Sequence, residues 1–123
     1  MKKILIVDDD KIFSKVLRDA LVAAKPDAYE IVSVYDGEEG LAKIAELKPD
    51  MIVLDIMLPK LTGLEILEKL NESGVTIPVL MGTQFADLEK ISRAVELGAK
   101  GYIVKSDYSL EHIIRQIDDI LKD

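Results

Sequence analysis

The sequence predicts an α/β fold in which helices cover both faces of a doubly wound, five-stranded parallel sheet. Short apolar runs alternate along the chain with segments whose apolar residues repeat at helical spacing, as in successive β-α units. The run from Met51 to Leu54 has no polar break, as expected of a strand buried on both faces. The 123 residues suffice for a substantial core, and no repeat or linker divides them, so we expect one domain spanning residues 1–123.

Five apolar runs predict the strands, at Lys3–Val7, Ala28–Tyr35, Met51–Asp55, Ile77–Met81 and Tyr102–Val104. Glu30 and Ser33 interrupt the second run, which suits an edge strand with some water contact. The fourth run starts beside Pro78 and is followed by Gly82 and Thr83.

Five amphipathic segments predict the helices, at Lys11–Ala24, Gly37–Leu47, Gly63–Ser73, Ala86–Leu97 and Ser109–Leu121. Asp10 is a suitable N-cap for the first helix, and Gly74 and Gly98 are suited to end the third and the fourth. Helical spacing predicts the inward-facing residues of the first two helices, which are Phe13, Val16, Leu17, Ala20, Leu21, Ala24, Leu41, Ile44 and Ala45.

Composition and charge exclude several classes of protein. The chain has no cysteine, which rules out disulfides, a thiol nucleophile and zinc–thiolate sites. The net charge of −7, without a basic stripe, argues against direct binding to nucleic acid or to an anionic membrane. No apolar run is as long as a membrane span and no signal peptide precedes the first strand, so we expect a cytoplasmic protein.

Reactive side chains lie at the ends of four predicted strands. Asp8 and Asp9 follow the first strand, Asp55 ends the third, Thr83 follows the fourth and Lys105 follows the fifth. Because the carboxyl ends of parallel strands share one edge, these groups are expected to meet in one site. Three neighbouring carboxylates require a cation, and an all-oxygen set suits Mg²⁺ or Mn²⁺ rather than Zn²⁺. With a lysine and a hydroxyl nearby, the pattern predicts a phosphoryl-transfer site.

Ordered motifs that cover nearly the whole chain resemble the receiver domain of two-component response regulators. They are Val7-Asp8-Asp9, Leu54-Asp55-Ile56-Met57-Leu58-Pro59 with Gly63, Met81-Gly82-Thr83 and Gly101-Tyr102-Ile103-Val104-Lys105. The resemblance implies a single receiver domain with a flavodoxin-like fold and strand order 2-1-3-4-5. It also implies a signalling switch that catalyses only its own phosphorylation and dephosphorylation and is otherwise not an enzyme.

The same resemblance assigns roles to the residues at the sheet edge. Asp55 would be the phosphoacceptor, which takes its phosphoryl group from a sensor histidine kinase or a phosphotransfer protein. Asp9, Asp55 and the Met57 carbonyl would ligate Mg²⁺, with Asp8 helping through water. Lys105 would pair with the phosphoryl group.

A conformational switch is implied as well. On activation Thr83 would hydrogen-bond the phosphoryl group and Tyr102 would turn inward. The surface formed by helix 4, strand 5 and helix 5 would then change shape for a downstream effector protein or domain.

The sequence departs from the family pattern beside the site. Gln84 stands where the family prefers a small residue, and its longer side chain can cover an acyl phosphate; Gln84 and Phe85 are therefore expected to modulate the site. Ser106 replaces the proline that usually follows Lys105, often across a cis peptide. A cis bond without proline costs about 2.5–4 kcal/mol, which favours a trans bond without deciding the isomer, and a trans bond would change the reach of Lys105. Thr62 replaces the usual residue before Gly63, with little expected effect.

Two other functions fit parts of the sequence. A pseudo-receiver would bind a partner without being phosphorylated; Lys105 and the complete acidic set argue against it, while Gln84 and Ser106 leave it open. A flavin- or nucleotide-binding protein of similar topology would need a phosphate-binding loop, which the sequence lacks, and an acidic edge would repel its ligand.

Some residues that invite a functional role are predicted to have structural ones. His112, the only histidine, lies opposite the apolar stripe of the last helix and is predicted to be exposed. Tyr29, Tyr35 and Tyr108 are predicted to be packing or rim residues.

Overall fold

The computed structural model describes residues 1–107 and 109–122. The prediction for Tyr108 and the end of the predicted domain at Asp123 therefore lie outside the described residues. The strands are β1 (Lys2–Val7), β2 (Tyr29–Val34), β3 (Met51–Asp55), β4 (Val79–Thr83) and β5 (Gly101–Val104). The helices are α1 (Lys11–Ala24), α2 (Gly37–Leu47), α3 (Gly63–Glu72), α4 (Leu88–Glu96) and α5 (Leu110–Leu121).

The strands form one parallel sheet in the order β2-β1-β3-β4-β5, which confirms the predicted fold class and topology. β2 is an edge strand, as the polar interruptions at Glu30 and Ser33 predicted. Within the part of the chain that the structure covers, none of the helices has the length and apolar character needed to cross a membrane.

The sheet separates two hydrophobic cores, because successive side chains of a strand point to opposite faces. In β1, Ile4 and Ile6 pack with α1 and α5, whereas Leu5 and Val7 pack with α2, α3 and α4. The apolar residues of β3 divide between the two cores in the same alternating way. An uninterrupted apolar strand is therefore required at the centre of the sheet, where both faces are covered.

Side-chain caps set the starts of the helices. The carboxylate of Asp10 accepts a hydrogen bond from the backbone N–H of Phe13, as predicted for the cap of α1. The start predicted for α4 at Ala86 is wrong, because Asp87 accepts from the Lys90 N–H and caps a helix that begins at Leu88. Likewise Ser109 caps α5 instead of forming its first residue.

The predicted bounds of β4 are two residues too early at each end. The strand runs from Val79 to Thr83, because the Gly82 carbonyl still accepts a ladder hydrogen bond from the Ile56 N–H. The ladder thereby places Thr83 inside the strand, at the carboxyl edge of the sheet.

The inward faces predicted for α1 and α2 are too wide. Val16 is 42% exposed, and Ala24 and Ala45 are also exposed, against the prediction. On α1 the buried apolar residues are Leu17 and Leu21, one turn apart, since only a narrow stripe of this helix faces the sheet.

Candidate phosphorylation site

The carboxyl edge of the sheet brings the predicted site residues together. Asp55 ends β3 and pairs in register with Gly82 of β4, and Thr83 pairs with Val104 of β5. Asp8 directly follows β1, the other neighbour of β3. The structure thus places these strand ends at one edge of the sheet.

Three carboxylates form the centre of the site. Asp8 and Asp55 are buried, with 2% and 5% of their surface exposed, whereas Asp9 is exposed. Two backbone groups bond the buried pair, because the Asp10 N–H donates to Asp8 Oδ1 at 2.9 Å and the Met57 N–H donates to Asp55 Oδ1 at 3.3 Å. The residues after each strand thus hold its terminal carboxylate in a fixed orientation.

Lys105 reaches into this acidic cluster. Its Nζ atom lies 2.5 Å from Asp8 Oδ2 and 3.6 Å from Asp55 Oδ2, and only 7% of the side chain is exposed. No cis peptide bond occurs among residues 1–107 and 109–122, so the Lys105–Ser106 bond is trans. The substitution of proline by Ser106 therefore does not keep the ammonium group from the site.

The surroundings of Asp55 disfavour its charged form. Burial raises the pKa of the Asp55 carboxyl to about 7, and the charge of Asp8 adds to the rise while Lys105 opposes it. At neutral pH a substantial fraction of this carboxyl is protonated unless a further cation lies nearby. The cluster therefore favours the binding of positive charge beyond that of Lys105.

The donor set fits a hard divalent cation. Carboxylate oxygens of Asp8, Asp9 and Asp55 lie within 4.8 Å of one another, a group that could hold a metal ion. The exposed position of Asp9 leaves one side of the cluster open to water, which Mg²⁺ retains in protein sites. The Met57 N–H donates to Asp55, and the side chain of Met57 is 57% exposed. The predicted role of the Met57 carbonyl as a metal ligand stays a prediction.

The residues of the predicted switch lie at the end of β4, directly after it and on β5. Thr83 is 5% exposed, and its hydroxyl donates to the Phe85 carbonyl at 3.0 Å. Gln84 and Phe85 are exposed next to it, and Phe85 is 73% exposed. Tyr102 on β5 is 40% exposed, so its side chain faces outward here. The inward turn of Tyr102 and the modulating roles of Gln84 and Phe85 stay predictions.

Sequence reasoning missed one side chain at the site. Phe13 was predicted only as a core residue of α1, yet its ring lies against Lys105, with 4.5 Å between Nζ and the ring centroid. The available signal was its position in the first turn of the helix that follows Asp8 and Asp9. His112, by contrast, is exposed as predicted, beside the Ser109 hydroxyl.

Comparison with known proteins identifies the family of the chain. A sequence model of the response regulator receiver domain matches residues 4–118, so the chain belongs to the receiver domains of two-component response regulators. It is similar to a solved receiver domain protein (CheY-like) from Methanospirillum hungatei, at 31% identity and a TM-score of 0.88 over 98% of this chain and 94% of that one.

Curated relatives are longer than this chain. The transcriptional regulatory protein CiaR of Streptococcus pneumoniae is 39% identical over 99% of this chain and 52% of its own length. The alkaline phosphatase synthesis transcriptional regulatory protein PhoP of Bacillus subtilis is 37% identical over 98% of this chain and 49% of its own length. The chain thus spans about half the length of these relatives.

Proposed function

We propose that the chain is a phosphoryl-accepting switch whose phosphorylation site is Asp55. The observation that carries this proposal is a carboxylate 5% exposed at the carboxyl edge of the sheet, with Lys105 Nζ 3.6 Å away and two further aspartates beside it. The donor would be the phosphohistidine of a sensor kinase or of a phosphotransfer protein, the donors of the family to which the chain belongs.

The reaction would be an in-line displacement at phosphorus. An Asp55 carboxylate oxygen attacks the phosphorus atom, the bond from phosphorus to the donor imidazole nitrogen breaks, and its electron pair stays on that nitrogen. An acyl phosphate results. In the second half of the cycle a water oxygen attacks phosphorus, and the bond from phosphorus to the Asp55 oxygen breaks with its electron pair on that oxygen. Inorganic phosphate and the water proton leave, and the carboxylate is regenerated. Such transfer depends mainly on positioning and on neutralising charge.

Positive charge is supplied from two sources in this proposal. Asp9, Asp55 and the Met57 carbonyl would hold Mg²⁺, or Mn²⁺ in its place, with Asp8 helping through water; the ion, when bound, neutralises charge on the transferring phosphoryl group. Lys105 would exchange part of its contact with Asp8 for a phosphoryl oxygen. The contacts of both cations with the phosphoryl group would lower the barrier to the extent that they strengthen in the transition state.

Thr83 would connect phosphorylation to a change of surface. Its hydroxyl now donates to the Phe85 carbonyl, and a phosphoryl oxygen on Asp55 would offer it a stronger, charged acceptor. That differential contact favours a second conformation, in which Tyr102 turns inward and the α4-β5-α5 surface changes. A downstream effector protein or domain would recognise this surface.

Family membership also supports the expected cytoplasmic location and the expectation that the chain has no enzyme activity beyond its own phosphorylation and dephosphorylation. We assign no nucleic-acid contact to the receiver itself. The two curated relatives are named as transcriptional regulators and are about twice as long, so DNA binding in a corresponding full-length protein would belong to another domain.

Intact-mass measurement tests the proposal directly. With acetyl phosphate and Mg²⁺ we expect one phosphate adduct on the wild type and none on Asp55→Asn or on wild type in excess chelator. Asp19→Asn, which changes an exposed aspartate on α1 with 64% of its side chain accessible, is the control and should keep the adduct. An adduct that survives in Asp55→Asn would remove Asp55 from its role. A wild type without any adduct would favour the pseudo-receiver.

A further inference from the structure

The ammonium group of Lys105 contacts two carboxylates and an aromatic ring. Nζ is 2.5 Å from Asp8 Oδ2 and 3.6 Å from Asp55 Oδ2, and it lies over the Phe13 ring, 4.5 Å from the ring centroid. We propose that Phe13 is a positioning residue, which holds the Lys105 ammonium at the phosphorylation site through a cation–π contact. This inference rests on the proposed function, because it assigns Phe13 a part in the phosphorylation of Asp55.

The contact replaces water that Lys105 has lost. Only 7% of the lysine side chain is exposed, so the ammonium group must find its stabilisation within the protein. The face of an aromatic ring carries partial negative charge and attracts a cation within about 6 Å, more strongly when the pair is desolvated. Phe13 adds this attraction without adding a fourth carboxylate to a cluster that already repels itself.

On the β4 side, Gly82 leaves space beside the Lys105 side chain. The lysine Cε passes beside Gly82, where even a Cβ atom would come no closer than 3.8 Å. A four-carbon chain beside a glycine retains several rotamers, and a cation that must meet the phosphoryl group is more effective when its position is fixed beforehand. The Phe13 ring supplies that restriction from α1.

The backbone that orients the acidic residues also fixes Phe13. The Asp10 N–H donates to Asp8 Oδ1 at 2.9 Å, and the Asp10 carboxylate accepts from the Phe13 N–H at 3.0 Å. A short chain of hydrogen bonds therefore links Asp8 to the start of the helix turn that carries the ring. The same hydrogen-bonded segment therefore carries two of the groups that contact the ammonium, Asp8 and Phe13.

The rate of Asp55 phosphorylation by acetyl phosphate at saturating Mg²⁺ tests the inference. Phe13→Leu keeps an apolar side chain but removes the ring, and we expect it to react about three- to tenfold more slowly than wild type. Phe13→Tyr keeps the ring and should stay within about twofold. Val16→Ala, one turn along α1 at a side chain that is 42% exposed, is the control for a general effect on the helix and should react as wild type does.

Fluorination separates the charge effect from packing. Site-specific replacement of Phe13 by phenylalanine carrying one, two or three ring fluorines preserves the shape of the side chain while it weakens the negative face of the ring. The rate should fall stepwise with the number of fluorines. Equal rates across this series, or a Phe13→Leu variant as fast as wild type, would overturn the inference, and would leave the assignment of Asp55 untouched.

A spectroscopic measurement is independent of phosphorylation. Protons on Lys105 Cε should resonate upfield through the ring current of Phe13 and lose that shift in Phe13→Leu; Lys11, whose Nζ is 5.0 Å from the Tyr35 centroid, gives an internal comparison that the substitution should not change. An unshifted Lys105 resonance in the wild type would overturn the contact. A shifted resonance in a protein that forms no adduct would instead overturn the proposed function and, with it, the role of Phe13.

Discussion

The proposed attack on phosphorus requires an ionised Asp55, yet the surroundings of Asp55 favour the protonated carboxyl. Burial, and then the charge of Asp8, raise its pKa to about 7, and Lys105 opposes the rise. In the proposed reaction, positive charge at this edge would have two uses: it would favour the ionised nucleophile before transfer and neutralise the phosphoryl group afterwards. This is a physical reason to expect that phosphorylation requires both a divalent cation and the lysine.

Gln84 offers a prediction about the lifetime of the phosphorylated protein. Its side chain is exposed directly after Thr83, where it can cover the acyl phosphate and hinder the attacking water. We expect Gln84→Ala to lose phosphate about two- to tenfold faster than wild type, measured as the decay of the phosphate adduct at saturating Mg²⁺. Gln116→Ala, the same truncation on α5, is the control. Slower decay in Gln84→Ala would mean that the amide orients the water, as a glutamine does in small GTPases.

At the scale of the elements, the start of α3 lies directly against the backbone of Asp55 and Ile56, at the end of β3. Thr62 and Glu65 form a capping box that begins the helix at Gly63. The Gly63 N–H donates to the Ile56 carbonyl at 2.9 Å, and a Cβ atom on Gly63 would lie 2.1 Å from the Asp55 carbonyl oxygen. The absence of a side chain at Gly63 thus lets a helix N-terminus approach the backbone of Asp55.

Gly63→Ala should therefore damage the site and the fold together. The alanine methyl group must displace the Asp55 backbone, and we expect a loss of about 1–3 kcal/mol in the free energy of unfolding, with slower phosphorylation. Gly82→Ala is the matched control, because there a Cβ atom meets only Lys105 Cε, at the ordinary contact distance of 3.8 Å. Urea titrations measure the free energy of unfolding of both variants. Equal stability of Gly63→Ala and wild type would show that the backbone at Asp55 accommodates the methyl group.

Local sequence patterns predicted which segments are strands and helices better than they predicted which helix residues are buried. The uninterrupted apolar run of β3 predicted a central strand, and the interrupted run of β2 predicted an edge strand. These predictions were possible because a strand buried on both faces consists almost entirely of apolar residues. The exposure of Val16 and Ala45 could not be foreseen, since apolar spacing marks a possible face but not how much of it a neighbour covers.

The site followed from topology rather than from any one motif. Asp8, Asp55 and Thr83 were predicted to meet because parallel strands end at one edge, whatever the loops between them do. The contact between Lys105 and Phe13 could not be predicted in the same way. It depends on the path of a flexible lysine side chain and on the angle at which α1 crosses the sheet, which the sequence pattern does not specify.

For the whole molecule, the acidic edge makes stability depend on pH in a defined direction. Burial, aided by Asp8, raises the pKa of Asp55 from its ordinary 3.8 to about 7, so the folded state favours the proton. The stabilisation from that proton is fully present below the ordinary value and is lost as pH rises through about 7. Divalent cation should offset the loss, because it binds the ionised folded site and competes with the proton.

Thermal melts of wild type and Asp55→Asn from about pH 5 to about pH 8 test the direction in which stability changes with pH. In chelator the wild type should lose stability as the pH rises across this range. Asp55→Asn is neutral at position 55, so its stability should change less. At the alkaline end the variant should be the more stable protein by on the order of 1 kcal/mol. Mg²⁺ should raise the wild-type melting temperature most at alkaline pH. Asp19→Asn should follow the wild type throughout. Melting temperatures of wild type and Asp55→Asn that change in parallel with pH in chelator would mean that the folded state does not raise the pKa of Asp55. Asp55 would then ionise without a cation.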